Sequence, residues 1–147
     1  MLIGKFKHSI DSKNRIYIPN KFINDLGTKC VLSQDIADNC LNLYPLKIWL
    51  EFAADMDNKL PKIKMRKARQ KIFQNADEVE LDSQNRIVLT QEICREVGIA
   101  GEKEAIITGN YSHIQIWSVE EWTKFNKEMK NEETQKKIID AFEEMGL

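Results

Sequence analysis

Cysteine is scarce, and its arrangement excludes two classes of protein at once. Cys30, Cys40 and Cys94 are odd in number and form no Cys-x-x-Cys pair. Neither a disulfide framework nor a zinc site is expected from them. Each stands among apolar residues and is read as a small core side chain. Histidine is scarcer still. His8 and His113 fall at unrelated places in the chain, so no metal site and no cofactor are expected. Long apolar runs are missing as well. None approaches the ~18 residues that a membrane span requires. The opening "MLIGKFKH" lacks the apolar stretch of a signal peptide. A cytoplasmic protein with no membrane contact is the expectation.

Charge of one sign is not in excess, but the balance is uneven along the chain. The formal net charge is −1 over 147 residues. Residues 1–76 carry 14 Lys and Arg against 7 Asp and Glu, whereas residues 77–147 carry 8 against 16. The basic half favours a polyanionic partner. The acidic half suits either a neighbouring subunit's basic half or plain solubility. With 42% hydrophobic and 31% charged residues, the composition is that of an ordinary globular chain, long enough for one domain with a sizeable core.

What the sequence does have is a repeat. "DSKNRI" at residues 11–16 returns as "DSQNRI" at 82–87. Under a shift of 71, Asp11, Ser12, Asn14, Arg15, Ile16 and Gly27 fall on identical residues. Further on, "CVLS" (30–33) parallels "AIIT" (105–108) and "CLNLY" (40–44) parallels "HIQIW" (113–117). Trp49 parallels Trp122. The chain is a duplication, with repeats expected at 5–49 and 78–122, linker helices at 50–77 and a helical tail at 123–147.

Each unit has a readable order. Alternating "FKHSI" and "DEVEL" predict short strands. "SKN" and "SQN" are turn-formers, and Asn tolerates positive φ. "RIYI" and "RIVL" predict second strands. "NKFINDLG" and "QEICREVG" predict short helices closed by Gly27 and Gly98. Two more strands follow, then a helix. Ser118 and Glu121 have capping-box spacing at the start of the second of these. One unit is too small and too rich in strand edges to stand alone. Two units are therefore expected to close on each other into a small pseudo-twofold α+β barrel with peripheral helices.

Asp and Arg at this spacing flank a hairpin turn, where the carboxylate can orient the guanidinium. The bland alternative is an ion pair that only pins the turn. Two copies of the arginine, accompanied by Lys13, Asn14, Gln84 and Asn85, favour a polar reading surface. Arg, Lys, Asn and Gln are the side chains that reach phosphates and base edges. Arg15 and Arg86 are expected to be exposed contacts, with Asp11 and Asp82 holding them. A second candidate surface is "KIKMRKARQKIF" (62–73), with six basic residues and no acidic one. Ile63, Arg66, Lys67 and Gln70 share one helical face, and Met65, Ala68, Ile72 and Phe73 make an apolar stripe. Its bland reading is a packed amphipathic helix, and its sharper reading adds a nucleic-acid contact. "ETQKKIIDAFEEMGL" is also amphipathic, through Ile138, Ile139, Phe142 and Met145.

"GKFKHSIDSKNRIYIP", "LDSQNRIVL", "LNLYPLKIW" and "IQIWSVEEW" together resemble the MraZ family of bacterial transcriptional regulators, which carry two SpoVT-AbrB-type repeats. The resemblance spans about Gly4 to Phe125. It implies a swapped-hairpin barrel, ring-shaped homo-oligomers such as an octamer, and nucleoid-associated binding of double-stranded promoter DNA through the two loops. It also implies the target, repeated short boxes upstream of the division and cell-wall gene cluster that includes the protein's own gene. The family's motif reads Asp-x-Lys-Gly-Arg, so Asn14 and Asn85 stand for the glycine, and Gln84 for a lysine. An enzyme is not expected. The paired Asp11-Ser12 and Asp82-Ser83 lack the glycine and cleft of an aspartic protease dyad. The competing non-enzymatic reading is a structural ring or antitoxin-like partner binder without DNA specificity.

Overall fold

A computed structural model describes residues 1–59 and 62–147, with the side chains of Lys62, Lys64 and Met65 outside that description. The first half runs β1 (Lys5–Ser9), β2 (Arg15–Tyr17), α1 (Asn20–Leu26), β3 (Lys29–Gln34), β4 (Leu41–Pro45) and α2 (Leu46–Lys59). After α3 (Lys62–Gln74) the order repeats as β5 (Asp77–Glu80), β6 (Arg86–Val88), α4 (Gln91–Glu96), β7 (Glu104–Gly109), β8 (Ile114–Ser118) and α5 (Val119–Met129), with α6 (Glu132–Glu144) last. No helix among the described residues is long and apolar enough to cross a membrane.

Local chemistry sets these boundaries. α1 follows Pro19 and buries Phe22 and Leu26, one turn apart. It stops where Gly27 takes φ 75° and its N–H returns to the Ile23 carbonyl at 3.0 Å. α4 starts at Thr90, whose hydroxyl accepts from the Ile93 N–H, and Gly98 follows it at the same φ as Gly27. α5 starts at Ser118, whose hydroxyl accepts from the Glu121 N–H at 3.0 Å, as the capping-box spacing predicts.

The strands pair across the two halves. β1 pairs with β7, and β5 pairs with β3, so each half lends its first strand to the other. At the centre, counterpart strands meet antiparallel: Asn42 opposes Gln115 and Ile16 opposes Ile87. These are the residues that the repeat aligns, so the pseudo-twofold axis passes through both pairs. The result is a six-stranded sheet in the order β1-β7-β8-β4-β3-β5 and a separate β2–β6 ribbon. The exchange was expected, but the closed barrel is not found. β2 and β6 are only three residues each, and β2 joins β1 through the single Ile10–Ile16 bridge. Too few ladder bonds remain to carry the sheet around the turns.

One core lies between these layers. Leu32, Leu41, Leu43, Ile107, Ile114 and Ile116 from the sheet join Ile16 and Ile87 from the ribbon and Phe22, Leu26, Cys94 and Val97 from the helical segments. Full burial of each large side chain contributes about 1.5–3 kcal/mol. The three cysteines are buried and free, and burial pushes the Cys30 thiol up to about 12. On the other sheet face, two matching aromatic triads dock the helices. Tyr44, Trp49 and Phe52 hold α2, while Trp117, Trp122 and Phe125 hold α5, with Trp117 and Phe125 4.8 Å apart. α3 touches the body mainly through its last turn. Ile72 is half-buried there, and the Phe73 ring meets Trp49 edge-on at 5.7 Å. The expected apolar stripe is thus used only at its end, and its Met65 lies outside the described side chains. α6 buries no residue.

Gly109 marks the place where the N-terminal segment crosses β7. A Cβ there would run into the backbone of Leu2 and Ile3. Gly109→Ala is expected to displace that segment and destabilise the fold by about 1–3 kcal/mol, as overpacked positions do. Thermal unfolding checks this, and an unshifted midpoint contradicts it.

Candidate nucleic-acid interface

The β2–β6 ribbon sorts its side chains by alternation. Ile16 and Ile87 point into the core at 0% and 1% exposure. Arg15, Tyr17, Arg86 and Val88 therefore share the outer face. At each end of this face stands one Asp-x-x-Asn-Arg turn, so the repeat's two motifs lie side by side.

Each turn is built the same way. The Asp11 carboxylate accepts from the backbone N–H of Lys13 and of Arg15, both at 2.9 Å, and from Arg15 Nε at 2.7 Å. Asp82 accepts from the N–H of Gln84 and Arg86 at 2.9 Å and from Arg86 Nε at 2.8 Å. Asn14 and Asn85 close the turns at φ 58° and 59°, in the left-handed region that Asn tolerates. Their carbonyls reach across the pseudo-axis. Asn14 O accepts from the Leu89 N–H at 2.7 Å, and Asn85 O from the Ile18 N–H at 2.9 Å. Neither turn can shift without disturbing the other half's strand.

The sequence-predicted residues thus come together as one surface. Lys13 and Gln84 are exposed at the two tips, and Asn14 and Asn85 are half-buried by their structural duty. The arginines depart from expectation. They are not fully exposed: the Arg15 side chain keeps 29% of its surface and Arg86 only 15%. The ion pair with aspartate draws each one against the ribbon. Sequence reasoning also missed Tyr17, whose ring lies under Arg86 with the guanidinium carbon 5.7 Å from its centroid. Its only sequence signal is its place two residues from Arg15 on the same strand face. Nothing local tells which residue of the other half it meets.

Because aspartate takes Nε, the terminal nitrogens of each guanidinium are left for a ligand. That planar fork matches paired acceptors, either phosphate oxygens or O6 and N7 of guanine. The electrostatics agree. The Arg15 backbone N–H does most to hold the Asp11 carboxyl below its usual range, with the guanidinium and the Lys13 N–H adding to it. Asp82 is lowered in the same way by Arg86 and Gln84, and its hydrogen bond in turn raises the Arg86 guanidinium.

A depressed carboxylate gives the turn stability that is present above the unfolded value of about 3.9. That stability is lost as pH falls through the lower folded value. Carboxyl-carbon NMR titration is expected to give midpoints for Asp11 and Asp82 below about 3.9, with the Arg15 and Arg86 amide signals moving in step. Ordinary midpoints at both residues contradict the hydrogen-bonded turn.

Comparison with known proteins places the chain in a family. The model of the MraZ protein family, whose description likens it to antitoxins, matches twice, over residues 1–71 and 72–143. The chain is 38% identical to the transcriptional regulator MraZ of Caldicellulosiruptor bescii, with both chains covered completely. It is 35% identical to the protein of that name from Alkaliphilus metalliredigens, again over the whole of both. For the one from Clostridium beijerinckii the identity is 38%, over 86% of this chain and 88% of the relative. A family model that matches both halves, together with relatives aligned over the whole chain, shows the family: the chain belongs to the MraZ family.

Proposed function

We propose that this protein is a transcriptional regulator, not an enzyme, and that it binds specific double-stranded DNA through the β2–β6 face. The observation that carries the reading is the pair of aspartate-oriented arginines fixed side by side on one ribbon. The naming of the relatives as transcriptional regulators supports it. In this reading Arg15 and Arg86 contact bases, Lys13, Asn14, Gln84 and Asn85 support them from the turns, and Asp11 and Asp82 set the arginines' direction. The exchanged first strands support a swapped-hairpin architecture built from repeats at 5–49 and 78–122.

One ribbon covers only a few base pairs, which gives little discrimination, since each mismatch costs about 1–3 kcal/mol. Specificity then requires several subunits on several boxes, each bound box raising the effective concentration at the next. The proposed active form is accordingly a ring-like homo-oligomer on nucleoid DNA, reading direct repeats spaced about one helical turn, roughly 10 base pairs. The proposed target is the promoter of the division and cell-wall cluster that contains its own gene. The rival reading is a ring or antitoxin-like partner binder without DNA specificity. It is favoured by one observation, the apolar residues Ile139, Phe142 and Met145 left exposed on and just beyond α6.

A gel-shift assay on the upstream region of its own operon separates the two readings. Arg15→Ala and Arg86→Ala are expected to remain folded and each to weaken specific binding on the order of ten- to a hundredfold. Equal affinity in the double mutant and the parent removes the assignment. Asp11→Ala is expected to weaken binding as well, even though it deletes a negative charge. Tighter binding would mean that Asp11 only repels phosphate.

The phasing of the boxes gives an independent check. Shifting alternate repeats by half a helical turn is expected to abolish cooperative binding. Unchanged affinity for the shifted operator contradicts an oligomer reading phased repeats.

A further inference from the structure

The pseudo-symmetry of the ribbon's outer face is broken at one pair of positions. The repeat aligns Tyr17 with Val88, and the strand register opposes Tyr17 to Arg86 and Val88 to Arg15. Arg86 therefore has an aromatic ring beside its guanidinium, at 5.7 Å from the centroid, whereas Arg15 has only an aliphatic side chain opposite. Arg86 is correspondingly the more covered of the two, at 15% against 29% side-chain exposure. The turns differ in the other direction. The first tip carries Lys13, where the second carries the neutral Gln84.

We infer that Tyr17 is a positioning residue for Arg86, which makes Arg86 the base-selective reader and leaves Arg15, with Lys13, the more charge-driven contact. This rests on the DNA-binding reading above. A guanidinium held at Nε by Asp82 can still swing about that bond. An aromatic face adds a second constraint, because the cation lies over the ring's negative face. A fork fixed in both direction and plane loses little freedom when it meets the paired acceptors of guanine, and it tolerates a misplaced acceptor poorly. Arg15 lacks the second constraint and can follow a phosphate. Tyr17 itself remains 41% exposed, so the clamp stands at the surface where DNA would lie. One subunit would then read an asymmetric box, with base discrimination concentrated at the Arg86 end.

The test compares Tyr17→Val, which copies the other half, with Tyr17→Phe, which keeps the ring. The first readout needs no DNA. In Tyr17→Val the Arg86 Nε–H resonance is expected to exchange faster with water and to move, while that of Arg15 stays in place. Tyr17→Phe is expected to restore the parent behaviour. An Arg86 signal that does not respond to Tyr17→Val overturns the positioning role, whatever the protein binds. The second readout is the affinity ratio between an intact operator box and boxes with single guanine replacements. In Tyr17→Val, specific affinity is expected to fall by roughly two- to fivefold more than non-specific affinity, with the lost discrimination confined to one end of the box. A uniform loss across both DNAs, or a loss spread evenly over the box, overturns the selective role even if the NMR response is as expected. Failure of the parent protein to prefer any operator overturns the DNA reading itself, and the Arg86 resonance then still reports on the clamp alone.

Discussion

Two backbone carbonyls hold the candidate interface together. Asn14 and Asn85 each take a left-handed φ to close their own turn, and each points its carbonyl at an N–H of the other half's strand. A backbone group buried at such a crossing must be paired, so the exchange is enforced rather than decorative. It fixes the spacing and angle between Arg15 and Arg86, which no contact within a single half could do. The core of Ile16 and Ile87 beneath the ribbon then keeps the outer face flat against further movement.

The charges on this face are arranged for direction more than for attraction. Each arginine is neutralised by its own aspartate, so the two pairs add little net potential towards a polyanion. The lowered carboxyls show how firmly that neutralisation is built in, since backbone N–H groups as well as guanidinium hold the charge. In the proposed reading, long-range pull comes from elsewhere, from Lys13 and from exposed residues of α3 such as Arg66, Lys67 and Lys71. Arg69 of the same helix is partly spent on Asp57 of α2. In the same reading, the acidic second half works against non-specific adhesion to that polymer. A surface of this kind distinguishes between partners better than it attracts them.

Much of this was legible in the sequence because the signals are local. Positive φ at Asn14 and Asn85, helix ends at Gly27 and Gly98, and the Ser118 cap each depend on a few neighbouring residues. The duplication itself announced that Asp11–Arg15 and Asp82–Arg86 would share a role. The less legible features are the long-range ones. No local pattern says that Tyr17 sits against Arg86 rather than against its own turn. None says that an arginine chosen for contact would be drawn half under cover by its aspartate. The apolar stripe of α3 read as a packing face, yet among its described side chains Ile72 and Phe73, at its end, are the ones that meet the body. The three-residue length of β2 and β6, which leaves the barrel unclosed, follows from how many ladder bonds survive at the turns, and alternation alone does not give that number.

The exchange of first strands also sets a timetable for the chain's birth. The ladder partner of β1 is β7, about a hundred residues later in the chain. At synthesis rates of about 5–20 residues per second, β1 waits roughly 5–20 s before its partner has been made. For most of that interval the first half has its own β3–β4 hairpin but lacks both the ribbon partner of β2 and the strand that flanks β3. The N-terminal half is therefore born as an edge without a neighbour.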